Sequence, residues 1–141
     1  MLHLLYGPAA SGKTDLLINC AGLMLLGHPD GQDFAEWSRM IDVNVKGVLA
    51  GTKAVLSDML ARNEGTIINI SSIAGRKTFD NHSVYCGTKY AVHAITESMR
   101  KEVSASNVRM IVIAPGVVET PLLSHTSDQT IKDNYNLWKE S

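Results

Sequence analysis

The sequence predicts an α/β fold in which a mostly parallel sheet carries helices on both faces, as part of a three-layer sandwich. Short apolar runs recur along the chain, and longer stretches with helical spacing separate them. One run, TIINI at 66–70, is rich in β-branched residues and lies between glycine and serine, which is typical of a buried strand. Alternation of such strands with helices indicates parallel pairing through right-handed crossovers.

Four apolar runs are predicted to be strands: Leu2–Tyr6, Leu16–Asn19, Thr66–Ile70 and Val108–Ala114. The segment Gly7–Thr14 between the first two is shorter than the dozen or so residues that a parallel crossover needs. Two arrangements therefore stay open. Either the first two strands pair antiparallel, or residues 12–26 form a helix and the second strand is lost. We favour the strand.

Two long helices connect the later strands. Asp33 is a typical N-cap residue, and Glu36 completes the pattern of a capping box. Apolar residues then recur at intervals of three or four to about Arg62, which predicts one long helix over 33–62 that is covered on more than one side. Ser83 is predicted to cap a second helix over 84–104, and the tail has helical character over 127–139.

Composition limits the function classes. The chain of 141 residues has a formal net charge of −1, which gives no electrostatic case for nucleic acid or an anionic membrane. No apolar run is long enough to span a bilayer, and the first residues lack the basic lead of a signal peptide. Cys20 and Cys86 stand in no metal or redox spacing. We expect a cytoplasmic protein with reduced thiols and no metal site.

Polar residues gather where the predicted strands end, and ligands bind at that edge of a parallel sheet. Tyr85 and Lys89 lie four residues apart on a predicted helix, so their side chains share one face. An ammonium group near a phenol lowers the phenol pKa, and the phenol can then act as an acid or base near neutrality. An incidental pair on a helix surface is the alternative.

Asn44 falls on the apolar face of the first long helix, together with Trp37, Ile41 and Val48. A buried amide must be hydrogen-bonded. Asn44 is therefore either a functional residue of the cleft or a core asparagine that binds a backbone group, and both interpretations stay open.

Together, residues 15–141 resemble the middle and later part of a short-chain dehydrogenase/reductase, a family with a Rossmann-like three-layer fold. Five elements in order carry the resemblance: Asn19-Cys20-Ala21-Gly22, Asp42-Val43-Asn44-Val45, Ile68-Asn69-Ile70-Ser71-Ser72, Tyr85-Cys86-Gly87-Thr88-Lys89 and Pro115-Gly116-Val117-Val118-Glu119-Thr120. Cysteine replaces the second asparagine of the first element. The family's spacing from serine to tyrosine selects Ser72 rather than Ser71.

The resemblance implies an oxidoreductase that transfers hydride between NAD or NADP and a small carbonyl or alcohol substrate. Tyr85 would exchange a proton with the substrate oxygen, and Lys89 would lower the pKa of Tyr85 and bind the nicotinamide ribose. Ser72 would hydrogen-bond the substrate oxygen, and Asn44 would hold a water molecule of the proton relay.

The resemblance also assigns a cofactor cleft and an interface. Residues expected to bind the cofactor, besides Lys89, are Asn19, Ala21, Gly22, Pro115, Gly116 and Thr120. The helices 33–62 and 84–104 resemble those through which family members form homo-oligomers, so we expect the same here.

The chain departs from the family at its start, because few residues precede Asp15. We expect it to lack most of the cofactor-binding part, including the residue that separates NAD from NADP. Gly7, Gly12, Lys13 and Thr14 instead fit the phosphate-binding P-loop pattern. The junction of 1–14 with 15–141 reads like a fusion. Three hypotheses follow: an oxidoreductase, a nucleotide-binding module, and a folded truncated or chimeric fragment without turnover.

Overall fold

The computed structural model describes residues 3–6, 13–118 and 121–140. Three predicted site residues, Gly7, Gly12 and Thr120, lie outside these ranges. None of the helices within these ranges is long and apolar enough to cross a membrane.

The four strands form one sheet in the order β1-β2-β3-β4: β1 (His3–Tyr6), β2 (Leu16–Asn19), β3 (Gly65–Ile70) and β4 (Val108–Ile113). β1 pairs antiparallel with β2, whereas β2, β3 and β4 pair in parallel. The preferred arrangement of the first two strands is therefore confirmed, and the helical alternative for 12–26 is wrong. Antiparallel pairing suits the short connection between Tyr6 and Leu16.

The first long helix is helical from Phe34 to Arg62, but it consists of three parts. These are α1 (Phe34–Ile41), a π-helical turn (Asp42–Lys46) and α2 (Gly47–Arg62). Asp33 caps the helix as predicted, because its carboxylate accepts a hydrogen bond of 2.9 Å from the Ala35 amide. The π-helical turn was not predicted. Such turns occur often at functional sites, and this one contains Asn44.

The second long helix, α3 (Ser83–Glu102), begins one residue earlier than predicted. Ser83 is its first helical residue and His82 occupies the N-cap position, so the assignment of Ser83 as the cap is wrong. The helical tail is confirmed as α4 (Gln129–Glu140), which follows a 3₁₀ turn at Pro121–His125.

Both long helices pack on the same face of the sheet. Strands β2, β3 and β4 are neighbours in chain order, and right-handed crossovers between them place α2 and α3 on one side. On this side Leu17, Ile67 and Met110 are buried against the two helices. On the other side Ile111 and Ile113 are 38% and 45% exposed.

The α/β fold class is thus confirmed. Within the described ranges, the crossover helices lie on one face of the sheet, and the second face of β4 is not covered by a helix. The reason is topological: consecutive parallel strands joined by right-handed crossovers receive all their connecting helices on one face.

A second apolar cluster lies beyond the carboxyl ends of the strands. It combines residues of five distant segments: Leu23, Met24, Leu25, Leu26, Met40, Ala74, Tyr85, Cys86 and Ile131. The cluster holds the loop after β2, the start of α3 and the tail helix α4 together. It therefore positions the polar residues that follow the strands.

Candidate active site

A cleft of about 540 Å³ opens at the carboxyl ends of β3 and β4. The structure brings these predicted site residues into its lining: Gly22, Ser72, Tyr85, Lys89, Pro115 and Gly116. Its volume falls in the range of small-molecule sites, and its position is the one expected for a ligand of a parallel sheet.

Tyr85 and Ser72 meet in this cleft, where the Ser72 hydroxyl lies near enough to the Tyr85 hydroxyl to influence its pKa. Ser72 directly follows β3, and its Oγ accepts a hydrogen bond of 3.1 Å from the Ala74 amide. Burial raises the pKa of Tyr85 to about 12, while the Ser72 hydroxyl acts in the opposite direction. The phenol is therefore a protonated group at neutral pH, held beside a second hydroxyl.

Lys89 lies next to this pair. Its ammonium nitrogen is 5.7 Å from the centroid of the Tyr85 ring and donates a hydrogen bond of 3.2 Å to the Ile70 carbonyl. Burial lowers the pKa of Lys89 to about 8. We predicted that Lys89 lowers the pKa of Tyr85, but the net shift of this pKa is upward. The Lys89 ammonium lies over the Tyr85 ring, and burial of the phenol is the largest cause of the shift.

We expect the buried charge of Lys89 to make stability depend on pH. Its pKa falls from 10.5 in the unfolded chain to about 8 in the folded one. Between these values only the unfolded chain holds the proton, so stability rises with pH, and this gain is lost as pH falls through about 8. Tyr85 acts in the opposite direction, but only above about pH 10, where its unfolded form loses a proton.

Urea unfolding of the parent and of Lys89→Met at about pH 7.5 and pH 9.5 tests this linkage. Between the two conditions the parent should gain about 2 kcal/mol relative to the variant. Burial raises the pKa of Cys86 in the parent and in the variant alike. Subtracting the pH response of the variant from that of the parent therefore removes the contribution of this thiol. An equal response of both chains to pH would show that Lys89 is not the group responsible.

Asn44 binds backbone, as the core interpretation of this residue predicted. Its Oδ1 accepts a hydrogen bond of 2.8 Å from the Leu23 amide, and its Nδ2 donates to the Leu23 carbonyl at 2.8 Å. Nδ2 also donates to Thr88 Oγ1 at 3.0 Å. Asn44 thus joins the loop after β2 to α3 and lies behind the cleft lining. A Cβ placed on Gly22 would be 3.9 Å from Asn44 Oδ1 and 3.7 Å from Lys89 Nζ, so both groups face Gly22.

Asn19 also lies beneath the cleft, and neither it nor Ala21 is part of the lining. Asn19 Nδ2 donates to Asn69 Oδ1 at 2.8 Å, and Asn69 Nδ2 donates to Thr96 Oγ1 at 2.9 Å. All three residues are buried, so the chain of bonds ties β2, β3 and α3 together. Sequence reasoning gave Asn69 no role. The sequence signal that could have identified Asn69 is its position on β3, directly opposite Asn19 of β2.

Ser71 and Ser72 have different surroundings. Ser71 Oγ is buried and donates a hydrogen bond of 3.1 Å to the Lys89 carbonyl, which fixes α3 to the end of β3. Ser72 instead lies beside Tyr85 in the lining of the cleft. The choice of Ser72 from the family's spacing stays a prediction.

The C-terminal segment 121–140, here named the C-terminal cover, supplies part of the site that the sequence did not indicate. Thr126 is buried, and its Oγ1 accepts a hydrogen bond of 3.0 Å from the Leu26 amide. The same hydroxyl donates to the Met24 carbonyl at 3.4 Å. Leu122, Leu123 and Tyr135 of the cover then line the cleft.

Replacing Thr126 by valine should loosen the C-terminal cover. The side chain keeps its shape, but the buried Leu26 amide loses its partner, which costs about 1–3 kcal/mol of unfolding free energy. Denaturant unfolding and hydrogen exchange of 121–140 would measure the effect. The matched control is Thr130→Val, because Thr130 is exposed on α4. Similar losses in both variants would contradict an anchoring role for Thr126.

Lys13 and Thr14, the described end of the P-loop-like segment, lie away from this cleft. Only Asp15 separates them from β2, so the chain enters a strand where a P-loop would open a helix. They lie at the amino end of β2, at the opposite edge of the sheet from the cleft. The Thr14 carbonyl accepts a hydrogen bond of 2.8 Å from Arg62, which also pairs with Asp15 at 3.0 Å.

A sequence model of the short chain dehydrogenase family matches residues 8–131. An uncharacterized oxidoreductase of Staphylococcus saprophyticus is 48% identical over 125 residues, which are 87% of this chain and 51% of that protein. An uncharacterized oxidoreductase of Staphylococcus aureus is 41% identical over 79% of this chain and 48% of its own length. The chain thus spans about half the length of the curated relatives it matches.

Among solved structures, the closed form of a serine dehydrogenase complexed with NADP⁺ is similar with a TM-score of 0.82 and 35% identity. The similarity covers 94% of this chain and 53% of that one. A gluconate 5-dehydrogenase from Burkholderia cenocepacia, in complex with NADP and tartrate, has a TM-score of 0.79 and 30% identity over 90% of this chain and 50% of its own. The match over residues 8–131, together with the fold and the strand-end cleft, shows that the chain belongs to the short-chain dehydrogenase family.

Proposed function

We propose that the protein is an oxidoreductase that uses NAD or NADP to interconvert a small carbonyl compound and its alcohol, with Tyr85 as the acid and base. The observation that carries the proposal is that Tyr85 and Ser72 bring their hydroxyl groups together in a cleft that also contains the Lys89 ammonium group. Membership of the family supports it, as does NADP in two of the similar structures.

The residues of the cleft fit the nicotinamide end of such a cofactor. Gly22 lies against Lys89, and a Cβ on Gly116 would meet no atom within 4 Å, so the wall is open there. Gly22, Lys89, Pro115 and Gly116 would hold the ring and its ribose, with Lys89 bonded to the ribose hydroxyls. Asn19 and Ala21 would support this wall from behind. When bound, the nicotinamide ring supplies or accepts the hydride.

During reduction, the hydroxyl groups of Tyr85 and Ser72 donate hydrogen bonds to the carbonyl oxygen of the substrate. They stabilise the negative charge that develops on this oxygen, and Tyr85 then transfers its proton to it. A pKa of about 12 keeps Tyr85 protonated until that moment. The Lys89 ammonium stabilises the phenolate that remains. Asn44 Oδ1 can accept a second hydrogen bond, from a water molecule on the Lys89 side.

The same proposal includes the oligomeric state and the compartment of the protein. Apolar side chains are 38–43% exposed on the long helices at Ile41, Leu49, Leu60 and Tyr90, which supports a homo-oligomer formed through these helices. Light scattering at micromolar concentration would contradict this if it gave the mass of one chain. The proposal also places the protein in a reducing compartment, the cytoplasm, since Cys20 and Cys86 stand in no disulfide or metal spacing.

Titration of the purified chain with NADH, NADPH and magnesium ATP tests the proposal against its alternatives. A reduced nicotinamide should bind and should be oxidised when a ketone is added. Lys13→Ala should leave both unchanged, because Lys13 lies at the other edge of the sheet. ATP binding that requires magnesium and is lost in Lys13→Ala would support a nucleotide-binding module instead. Binding of neither class would leave a folded fragment without turnover.

A further inference from the structure

We infer that the substrate is an uncharged ketone or secondary alcohol that carries a flat apolar group, and that this group packs in the cleft against the His82 ring and against Leu122 and Leu123 of the C-terminal cover. The inference rests on the proposed function and names the substrate class that the same cleft would select. Three observations carry it: the charge of the lining, its ring contacts and the tautomer of His82.

The lining lacks a partner for a charged substrate. Among the described residues of the cleft wall, histidines apart, Lys89 carries the only charge, and no aspartate, glutamate or arginine takes part. Lys89 already donates to the Ile70 carbonyl and faces Gly22 on the proposed cofactor side. A carboxylate is usually bound by arginine or lysine and an ammonium group by a carboxylate. A charged substituent would therefore enter the cleft unpaired, which is costly.

Aromatic rings form the wall next to Tyr85. The His82 ring centroid lies 5.7 Å from Phe79, 5.9 Å from Tyr135 and 6.2 Å from Tyr85. Tyr135 belongs to α4, so the cover completes this wall from the other end of the chain. Leu122 and Leu123, both half-buried, lie on the same cover. A flat apolar group gains most from such surroundings, because it can stack on rings and bury aliphatic carbon at once.

His82 belongs to this wall as a neutral ring. Its Nδ1 lies 2.5 Å from the Asp80 carbonyl, which can only accept, so Nδ1 carries the hydrogen. Burial lowers the pKa of His82, so the ring is uncharged near neutral pH. His82 consequently offers no cation to a carboxylate, and its Nε2 is left with an acceptor lone pair.

The test compares two ketones with one skeleton, acetophenone and 4-acetylbenzoate, together with their alcohols. Turnover is measured with saturating reduced cofactor, and binding of both alcohols is measured by NMR on the full chain. Acetophenone should have the higher kcat/KM by at least about tenfold, and its alcohol should bind more tightly, since one unpaired charge is avoided. Equal or better use of 4-acetylbenzoate would overturn the inference.

Variants sharpen the comparison. Leu123→Arg places a guanidinium on the wall and should shift the preference towards 4-acetylbenzoate. Gln129→Arg adds the same charge at an exposed position of α4 outside the lining and should leave the preference unchanged. If neither ketone is reduced but the neutral alcohol binds preferentially, the proposed function fails and the substrate class stands. If neither alcohol binds, the substrate class is overturned as well.

Discussion

Replacing Tyr85 by phenylalanine should remove carbonyl reduction almost completely while leaving the protein folded. A positioned general acid contributes about 10²–10⁴-fold to the rate, and the substitution removes only the hydroxyl that would donate the proton. The ring remains in the apolar cluster with Met40, Ala74 and Cys86, so packing is retained. Loss of the polar interaction of the phenol hydroxyl with its surroundings should change the free energy of unfolding by only about 1 kcal/mol.

The measurements are kcat at saturating cofactor, cofactor binding by fluorescence, and thermal unfolding. Tyr90→Phe is the matched control, because Tyr90 lies on the same helix but is 41% exposed. It should keep the activity of the parent. Should Tyr85→Phe retain more than a tenth of the parent kcat with cofactor binding intact, Tyr85 would not be the acid, and the proposed mechanism would have to be abandoned.

Replacing Gly75 by alanine should destabilise the protein and disturb the site together. A Cβ at this position would lie 2.4 Å from the His93 ring and 2.7 Å from the Lys89 carbonyl oxygen. The histidine can rotate, but the carbonyl belongs to the backbone of α3, so the helix must move. Forcing an extra carbon into a packed interior costs about 1–3 kcal/mol, and this contact falls at the upper end.

Movement of α3 should disturb the cleft as well, because the Lys89 carbonyl also accepts a hydrogen bond of 3.1 Å from the Ser71 hydroxyl at the end of β3. We therefore expect kcat to fall along with stability. Gly87→Ala is the control: its Cβ would meet nothing within 4 Å, and it lies exposed within α3. Alanine there should stabilise the helix by about 0.5–1 kcal/mol. Both variants are unfolded with urea. Equal free energies of unfolding for Gly75→Ala and Gly87→Ala would contradict the close packing at Gly75.

The elements of the fold could be predicted because their signals are local. Helical spacing from Phe34 to Arg62 and the β-branched run before Ser71 depend on neighbours a few residues apart, and both predictions are confirmed. The same holds for Tyr85 and Lys89, which share a helix face one turn apart and both reach the cleft. The π-helical turn escaped prediction, because one extra residue in a turn leaves the apolar pattern almost unchanged.

The sequence by itself determined the strands and helices, the family resemblance and the edge of the sheet at which polar groups gather. Tertiary structure alone decided that Asn44 binds Leu23, that Asn19 binds Asn69 and that Thr126 anchors the cover to the loop after β2. These partners lie 21, 50 and 100 residues apart along the chain. A buried amide or hydroxyl must find a partner, but which one it finds depends on how distant elements pack, and no local pattern records that.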